Sequence, residues 1–355
     1  MKKIQEVEGL RGLAAIYVFA GHTTFANLTQ APKWTEALLF GQEAVMMFFL
    51  LSGFVIMTAM ERSEDKSFSN YISRRALRIF PIYFLALFIS WAFSQAPDLD
   101  VYSLMGNALM LQDFSGGKPG VLFGTFGGNT ALWSLSYEWW FYVMFFPVFT
   151  YVDEKLQAWL VTAAALIALA IYNRVNFQPL LFIAYFPLWW VGAEIARSVR
   201  RNQPLPLPVI ALAATVACWF ALPVLIAWEN GAPLSYGLHP VLEARHAMAC
   251  LLLVGAFLVA SRMNVARFGW LLKPFAIIAP ISYGLYATHF PIVSAHLFPG
   301  AILPLRLALY GLIALAVAWF AEVPFQRMVV RLVRMCHRSH PIVDSAPLKV
   351  GPTAG

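Results

Sequence analysis

Two polar residues in the first apolar segment have the types and spacing that acid–base chemistry requires. Arg11 and His22 are eleven residues apart, which is almost three helical turns, so both side chains point the same way. Their separation along a helix axis would be about 16 Å. An imidazole can take a proton from a hydroxyl near neutral pH. The alternative is a lone histidine hydrogen-bonded to a backbone carbonyl, and the pair alone favours neither interpretation.

A run of arginines between residues 71 and 83 indicates an anion site. Arg74 and Arg78 are four residues apart and share a helix face, and Arg75 and Arg78 are three apart. Guanidinium forks suit phosphate oxygens, so the run predicts contact with a phosphorylated donor such as coenzyme A. The alternative is ordinary anchoring of a cytoplasmic helix end on lipid head groups.

A carboxylate stands in the aromatic segment from Trp133 to Tyr142. Ser134, Glu138 and Tyr142 share one helical face there. Glu138 lies about 10 Å from the outer end of its predicted helix, and His22 lies at the matching depth of the first helix. The hypothesis is that Glu138 orients His22 or shares its proton. The alternative is a glutamate held by a Tyr or Trp hydrogen bond for packing.

A second histidine follows a tyrosine near the C-terminal end of the chain. Tyr286 and His289 are three residues apart on one predicted helix, and His289 lies toward its outer end. The similar depth of His22, Glu138 and His289 predicts a polar pocket in the outer half of a helix bundle, with the arginines at its cytoplasmic mouth. The alternative is a structural histidine beside the Pro291 break.

The composition indicates the kind of fold that must position these residues. The 355 residues are 60% hydrophobic and only 12% charged, against about 25% charged in soluble domains. Because a spanning helix needs about 20 apolar residues, the sequence predicts an all-α, polytopic membrane bundle of about ten transmembrane helices. The predicted spans are 10–29, 41–60, 79–95, 131–150, 156–172, 179–197, 207–228, 241–260, 275–295 and 302–321. Residues 96–130 are predicted to form an outer loop with a short helix near 101–112.

Charge distribution predicts the orientation of this bundle. With the N-terminus inside, 20 of the 25 Lys and Arg residues fall on the cytoplasmic side, so both termini are predicted to be cytoplasmic. Residues 1–340 are interpreted as one transmembrane domain and 341–355 as a disordered tail. No basic-aromatic module predicts nucleic-acid binding, and no Cys/His spacing predicts a metal site.

Several of these segments, taken in chain order, resemble the acyltransferase-3 family of integral membrane acyltransferases. The matching pieces are Glu8–Gly12 with His22, Phe48–Phe54, Arg74–Pro81, Asn129 with Trp133–Glu138, Ser282–Tyr286 with His289, and Glu322–Phe325. The resemblance implies a ten-helix bundle in the bacterial inner membrane. It also implies transfer of an acyl group, usually acetyl, from acyl-coenzyme A to a hydroxyl of a surface polysaccharide, exopolysaccharide or O-antigen sugar or its lipid-linked precursor.

The resemblance also implies roles for residues. Arg11 and His22 would be essential, and Glu138 would take part. Acyl-coenzyme A would be a co-substrate bound at the arginine run, with no resident cofactor. The hypothesis makes His22 the general base, with a covalent acyl-His22 intermediate as its variant. The supporting residues, some of them candidate oxyanion donors, are Ser134, Ser136, Tyr142, Tyr286, His289 and Asn129.

Two rival functions are also compatible with the sequence. A proton-coupled transporter or flippase for a saccharide or lipid-linked substrate could use His22 and Glu138 as a proton relay, although the sequence shows no inverted repeat. A non-catalytic membrane scaffold is the second rival. The Arg11–His22 spacing and the arginine run argue against it.

Overall fold

The computed structural model describes residues 5–28, 33–94, 100–262 and 269–339. The protein is all-α, with 81% of its residues in helices. The helices are α1 (Gln5–Asn27), α2 (Gly41–Arg62), α3 (Phe68–Phe93), α4 (Val101–Ala108), α5 (Trp133–Tyr151), α6 (Glu154–Val175), α7 (Pro179–Arg201), α8 (Leu207–Glu229), α9 (Val241–Arg262), α10 (Gly269–Ala276), α11 (Ser282–Ser294), α12 (Leu303–Phe320) and α13 (Gln326–Ser339). The predicted tail, 341–355, lies outside the described residues.

Seven described helices are long and apolar enough to cross a membrane, or eight if α10 and α11, bent by 47° at their break, form one span. The chain is therefore a multi-pass membrane protein. The prediction of ten spans is not confirmed, and neither is the orientation of the termini. Helices α1 and α5 occupy two of the predicted spans, but they are not apolar enough to be counted among these seven. They carry Arg11, His22 and Glu138, and these polar groups lower their hydropathy.

Helix α7 forms the centre of the bundle. In the most apolar 18-residue stretch of α7, 83% is buried inside the protein, compared with 17% for the corresponding stretch of the last span, Leu303–Cys336. The side chains of Trp189 and Trp190 are fully enclosed. Helix α2 reaches α7 closely because Gly53 has no side chain; a Cβ there would lie 2.2 Å from the Trp189 carbonyl oxygen. The contact places one face of α2 against α7 and leaves Ser52, the neighbouring residue, free to face α5.

The connection between α3 and α5 folds into a compact cap. Helix α4 coincides with the short helix predicted near 101–112. Two two-residue strands, β1 (Gln112–Asp113) and β2 (Phe123–Gly124), then pair in parallel. Two 3₁₀ turns, Phe126–Gly128 and Thr130–Leu132, lead into α5. The cap therefore fixes where α5 begins, and with it the height of the α5 polar residues.

Candidate functional site

A cavity of about 150 Å³ lies where α1, α2, α3, α5 and α11 meet. Three arginines and one glutamate line it, together with hydroxyl groups from three helices, α2, α5 and α11. Its polar lining residues are Arg11, Ser52, Arg75, Arg78, Ser134, Glu138, Tyr142, Ser282, Tyr283 and Tyr286. The remaining lining is aliphatic and aromatic.

The polar face of α5 forms one wall of this cavity. Glu138 Oε1 accepts a hydrogen bond of 3.0 Å from the Ser52 hydroxyl and another from the Tyr142 hydroxyl. One helical turn earlier, the Ser134 hydroxyl lies 2.7 Å from that of Tyr286 on α11. The predicted common face of Ser134, Glu138 and Tyr142 is therefore present, and all three residues contact the cavity.

The structure gives His22 a different partner from the one the sequence predicted. His22 Nδ1 lies 2.8 Å from His289 Nε2, and the two rings are nearly parallel with centroids 5.1 Å apart. Glu138 instead faces Ser52 of α2. The prediction that Glu138 orients His22 was wrong because equal depth does not place two side chains on facing sides. Helix α1 packs chiefly on α2, α10 and α11, whereas α5 packs on α7.

The three arginines of α3 have three different environments. Arg78 makes a two-pronged ion pair with Glu322, with one contact of 3.0 Å, and its guanidinium stacks on the Tyr283 ring. Arg74 is exposed and donates to the Asn70 side chain at 2.9 Å. Arg75 lines the cavity, and its Nε is buried without a hydrogen-bond partner among the described residues. The arginine run is therefore not one uniform anion site.

Arg11 ties α1 to the break between α10 and α11. Its Nη2 donates to the Ala279 carbonyl at 2.6 Å and its Nε to the Ser282 hydroxyl at 3.1 Å. The next residue, Gly12, brings the backbones together, since a Cβ there would lie 1.9 Å from the Phe275 carbonyl oxygen. Arg11 thus lines the cavity while already holding the break in place.

Three of the predicted supporting residues, Ser136, Asn129 and His289, lie outside the cavity lining, and so does His22. The Ser136 hydroxyl, which has one hydrogen to donate, lies 2.7 Å from the carbonyl oxygens of both Gln112 and Trp133. The Asn129 amide donates at 3.0 Å to the Ser90 hydroxyl and to the Ala287 carbonyl. Both residues hold the cap against the bundle. Within the described ranges, no group of three or more His, Cys, Asp or Glu side chains could hold a metal ion.

Ser52, Ser282 and Glu322 are site residues whose contacts the sequence analysis did not predict. Each belongs to a segment that resembles the family, but none was assigned a role. Glu322 carried a signal of its own, because it is an acid at the end of an apolar span and such residues require a partner. It lies in a π-helical turn, Ala321–Phe325, a kind of bulge often found at functional sites.

Comparison with known proteins identifies the family of this chain. A family model described as an acyltransferase domain matches residues 4–323. The chain belongs to the acyltransferase-3 family. It is 32% identical over 154 residues to "Acyltransferase MdmB" of Streptomyces mycarofaciens, an alignment covering 40% of this chain and 38% of that protein. No solved structure gives a significant match. The residues that line the cavity all fall within the family match.

Proposed function

We propose that this protein transfers an acyl group, in the first instance acetyl, from acyl-coenzyme A to a sugar hydroxyl of a bacterial surface or exopolysaccharide or its lipid-linked precursor. The observation that carries the proposal is the cavity itself, which brings three arginines, Glu138 and several hydroxyl groups together within the region that matches the acyltransferase family. Guanidinium groups form strong, charge-assisted hydrogen bonds to anionic or carbonyl oxygens, and a substrate that carries such oxygens would meet them in this cavity. The reaction would take place in the inner membrane.

The size of the cavity decides which part of the donor enters it. Pockets that enclose a whole drug-sized molecule measure roughly 300–1,000 Å³, whereas this cavity holds about 150 Å³. The acyl thioester and part of the thin pantetheine arm therefore fit better than the nucleotide. The nucleotide phosphates would stay at the mouth of the cavity. They would lie near Arg74, which is exposed, and Arg75, which lines the cavity.

The proposed reaction uses both the cavity and the pair of His22 and His289. Tyr286 lines the cavity and its ring contacts that of His289, which in turn contacts His22. His22 would remove the acceptor hydroxyl proton, and the oxygen would attack the thioester carbonyl. Ser134, Tyr286 or Tyr142 would donate to the developing oxyanion, and the coenzyme A thiolate would leave. The transporter alternative needs a relay between His22 and Glu138, and these two residues make no contact in the described structure.

The test is transfer of radiolabelled acetyl from acetyl-coenzyme A to membrane glycans. Wild-type membranes should label glycan, and membranes with equal amounts of His22→Ala should not. Thr288→Val is the matched control, because Thr288 is buried on the helix that carries His289 but bonds only within that helix. Full transfer by His22→Ala would contradict the proposal. Labelling only with another acyl-coenzyme A would change the acyl group and leave the reaction class intact.

A further inference from the structure

The geometry points to His289 as a positioning residue that fixes the tautomer of His22, so that His22 Nε2 is the atom that accepts the acceptor's proton. The inference rests on the proposed function for the role of His22. It differs from the sequence hypothesis, in which His289 was a candidate oxyanion donor.

Hydrogen-bond partners assign the proton on His289. Its Nδ1 lies 2.8 Å from the Leu285 carbonyl and 3.0 Å from the Tyr286 carbonyl. Carbonyl oxygens only accept, so His289 Nδ1 must carry hydrogen. A neutral imidazole has one N–H and one acceptor nitrogen, and His289 Nε2 is therefore the acceptor.

The tautomer of His289 determines the tautomer of His22. Because His289 Nε2 accepts and lies 2.8 Å from His22 Nδ1, His22 Nδ1 must donate and so carries the hydrogen of that ring. The lone pair of His22 is then on Nε2. No group in the described part of the chain hydrogen-bonds to that nitrogen, so it remains available to a substrate.

The surroundings keep the pair neutral before reaction. His289 is fully buried, and its ring neighbours besides His22 are Phe19 and Tyr286. Among the described residues, no acidic side chain contacts either histidine ring. An imidazolium at His289 would therefore be a buried charge without a counter-ion, which is strongly unfavourable.

Burial also divides the roles of the two rings. His22 is only partly buried, with the edge of Phe290 against its ring, while His289 has no surface through which a substrate could touch it. In the reaction, the acceptor O–H bond breaks and its proton moves to His22 Nε2. The alkoxide oxygen bonds to the acyl carbon, the thioester C–S bond breaks, and the proton then passes to the coenzyme A thiolate. His289 keeps its own proton throughout.

Two substitutions at His289 separate the accepting role from simple packing. His289→Gln keeps an acceptor oxygen near the position of Nε2, whereas His289→Leu removes it. We expect His289→Leu to lower kcat about 100-fold, the low end of general-base contributions, with the KM for acetyl-coenzyme A little changed. His289→Gln should recover most of kcat, and Thr288→Val should match wild type. Equal loss in the Gln and Leu variants would overturn the inference.

A second measurement needs no catalysis. Nitrogen-15 NMR of histidine-labelled protein in liposomes, with the His22 signals identified by their absence in His22→Ala, reports which ring nitrogen carries hydrogen. Wild type should show His22 protonated at Nδ1, and His289→Leu should show a mixture. Protonation of wild-type His22 at Nε2 would overturn the inference whatever the activity. The expected tautomer together with full transfer by His22→Ala would instead remove the proposed function.

Discussion

Two adjacent residues of α5 face two polar regions that differ in one respect. Tyr137 faces the cap, where Lys118 Nζ contacts both Asp113 oxygens at 2.9 and 3.2 Å and the Tyr137 hydroxyl at 3.1 Å. Glu138 faces the cavity, where Arg75 has a buried nitrogen without a partner. In the cap the ion pair has its partners within the protein, whereas in the cavity Arg75 Nε has no hydrogen-bond partner among the described residues. The difference teaches that a buried ion pair closed by its own neighbours stabilises the fold, whereas charged groups that line a cavity remain able to meet a substrate.

The ion pair of the cap gives the largest expected effect. Lys118 and Asp113 have side-chain exposures of 1% and 0%, so Lys118→Met would leave a buried carboxylate without its cation. Breaking such a pair costs about 3–5 kcal/mol. We expect a large fall in thermal stability and folded yield in detergent, with nearly normal activity in the protein that does fold.

The control for this variant is the pair of substitutions Lys118→Met with Asp113→Leu, which removes both charges. Because the orphaned carboxylate is then gone, stability should partly return. A single variant as stable as wild type would show that the cap is not a closed ion pair, and the comparison between the two regions would fail.

Glu138→Gln tests the cavity side of the same helix. The carboxylate accepts from Ser52 and Tyr142, and an amide keeps only part of that accepting capacity. We expect kcat to fall about 100-fold, the size of effect seen when one preorganised polar group is lost from an active site, with little change in folded yield. Tyr137→Phe, one residue away, should show the opposite pattern of reduced stability and retained activity.

Arg75→Gln should have a smaller effect, and that effect should be confined to binding of the acyl donor. The guanidinium that lines the cavity would be replaced by a neutral group, so we expect the KM for acetyl-coenzyme A to rise about tenfold, which is about 1.4 kcal/mol of binding. Steady-state kinetics in membranes would measure this. An unchanged KM with a lowered kcat would place Arg75 beside the reacting carbonyl rather than beside the donor's anionic part.

Arg74→Gln should have the smallest effect and serves as the matched control for Arg75→Gln. Arg74 is exposed and bonded to Asn70, and exposed charge contacts contribute only about 0–1 kcal/mol. We expect the KM to change about twofold or less. A change as large as that of Arg75→Gln would mean that the donor phosphates lie along the outer face of α3.

The sequence predicted the helices well and the partners less well. Spacing of three or four residues placed Ser134, Glu138 and Tyr142 on one face, because local geometry determines it. The partner of Glu138 was wrong, since choosing between His22 and Ser52 requires knowing which helices touch, and residue depth says nothing about that. Arg74 and Arg75 looked equivalent in the sequence, although successive residues differ by about 100° around a helix.

The cap also shows that contacts between distant segments cannot be predicted from local spacing. Lys118 lies in the segment predicted to be an outer loop, 96–130, but it is enclosed by Asp113 and by the rings of Trp133, Tyr137 and Tyr185. Its partners lie on the cap, on α5 and on α7. Contacts of this kind depend on the whole fold, and no spacing in the local sequence signals them.

The contact of Arg11 with the helix break has a further consequence for genetics. A broken helix in an apolar environment has backbone carbonyls that lack their usual donors, and Arg11 supplies donors to Ala279 while also holding Ser282. Arg11 therefore performs the solvating task that water performs at a helix end in a soluble protein. Lysine carries the same charge without the planar fork of donors. An Arg11→Lys allele should therefore behave as a loss of function, even though the charge of the protein is unchanged.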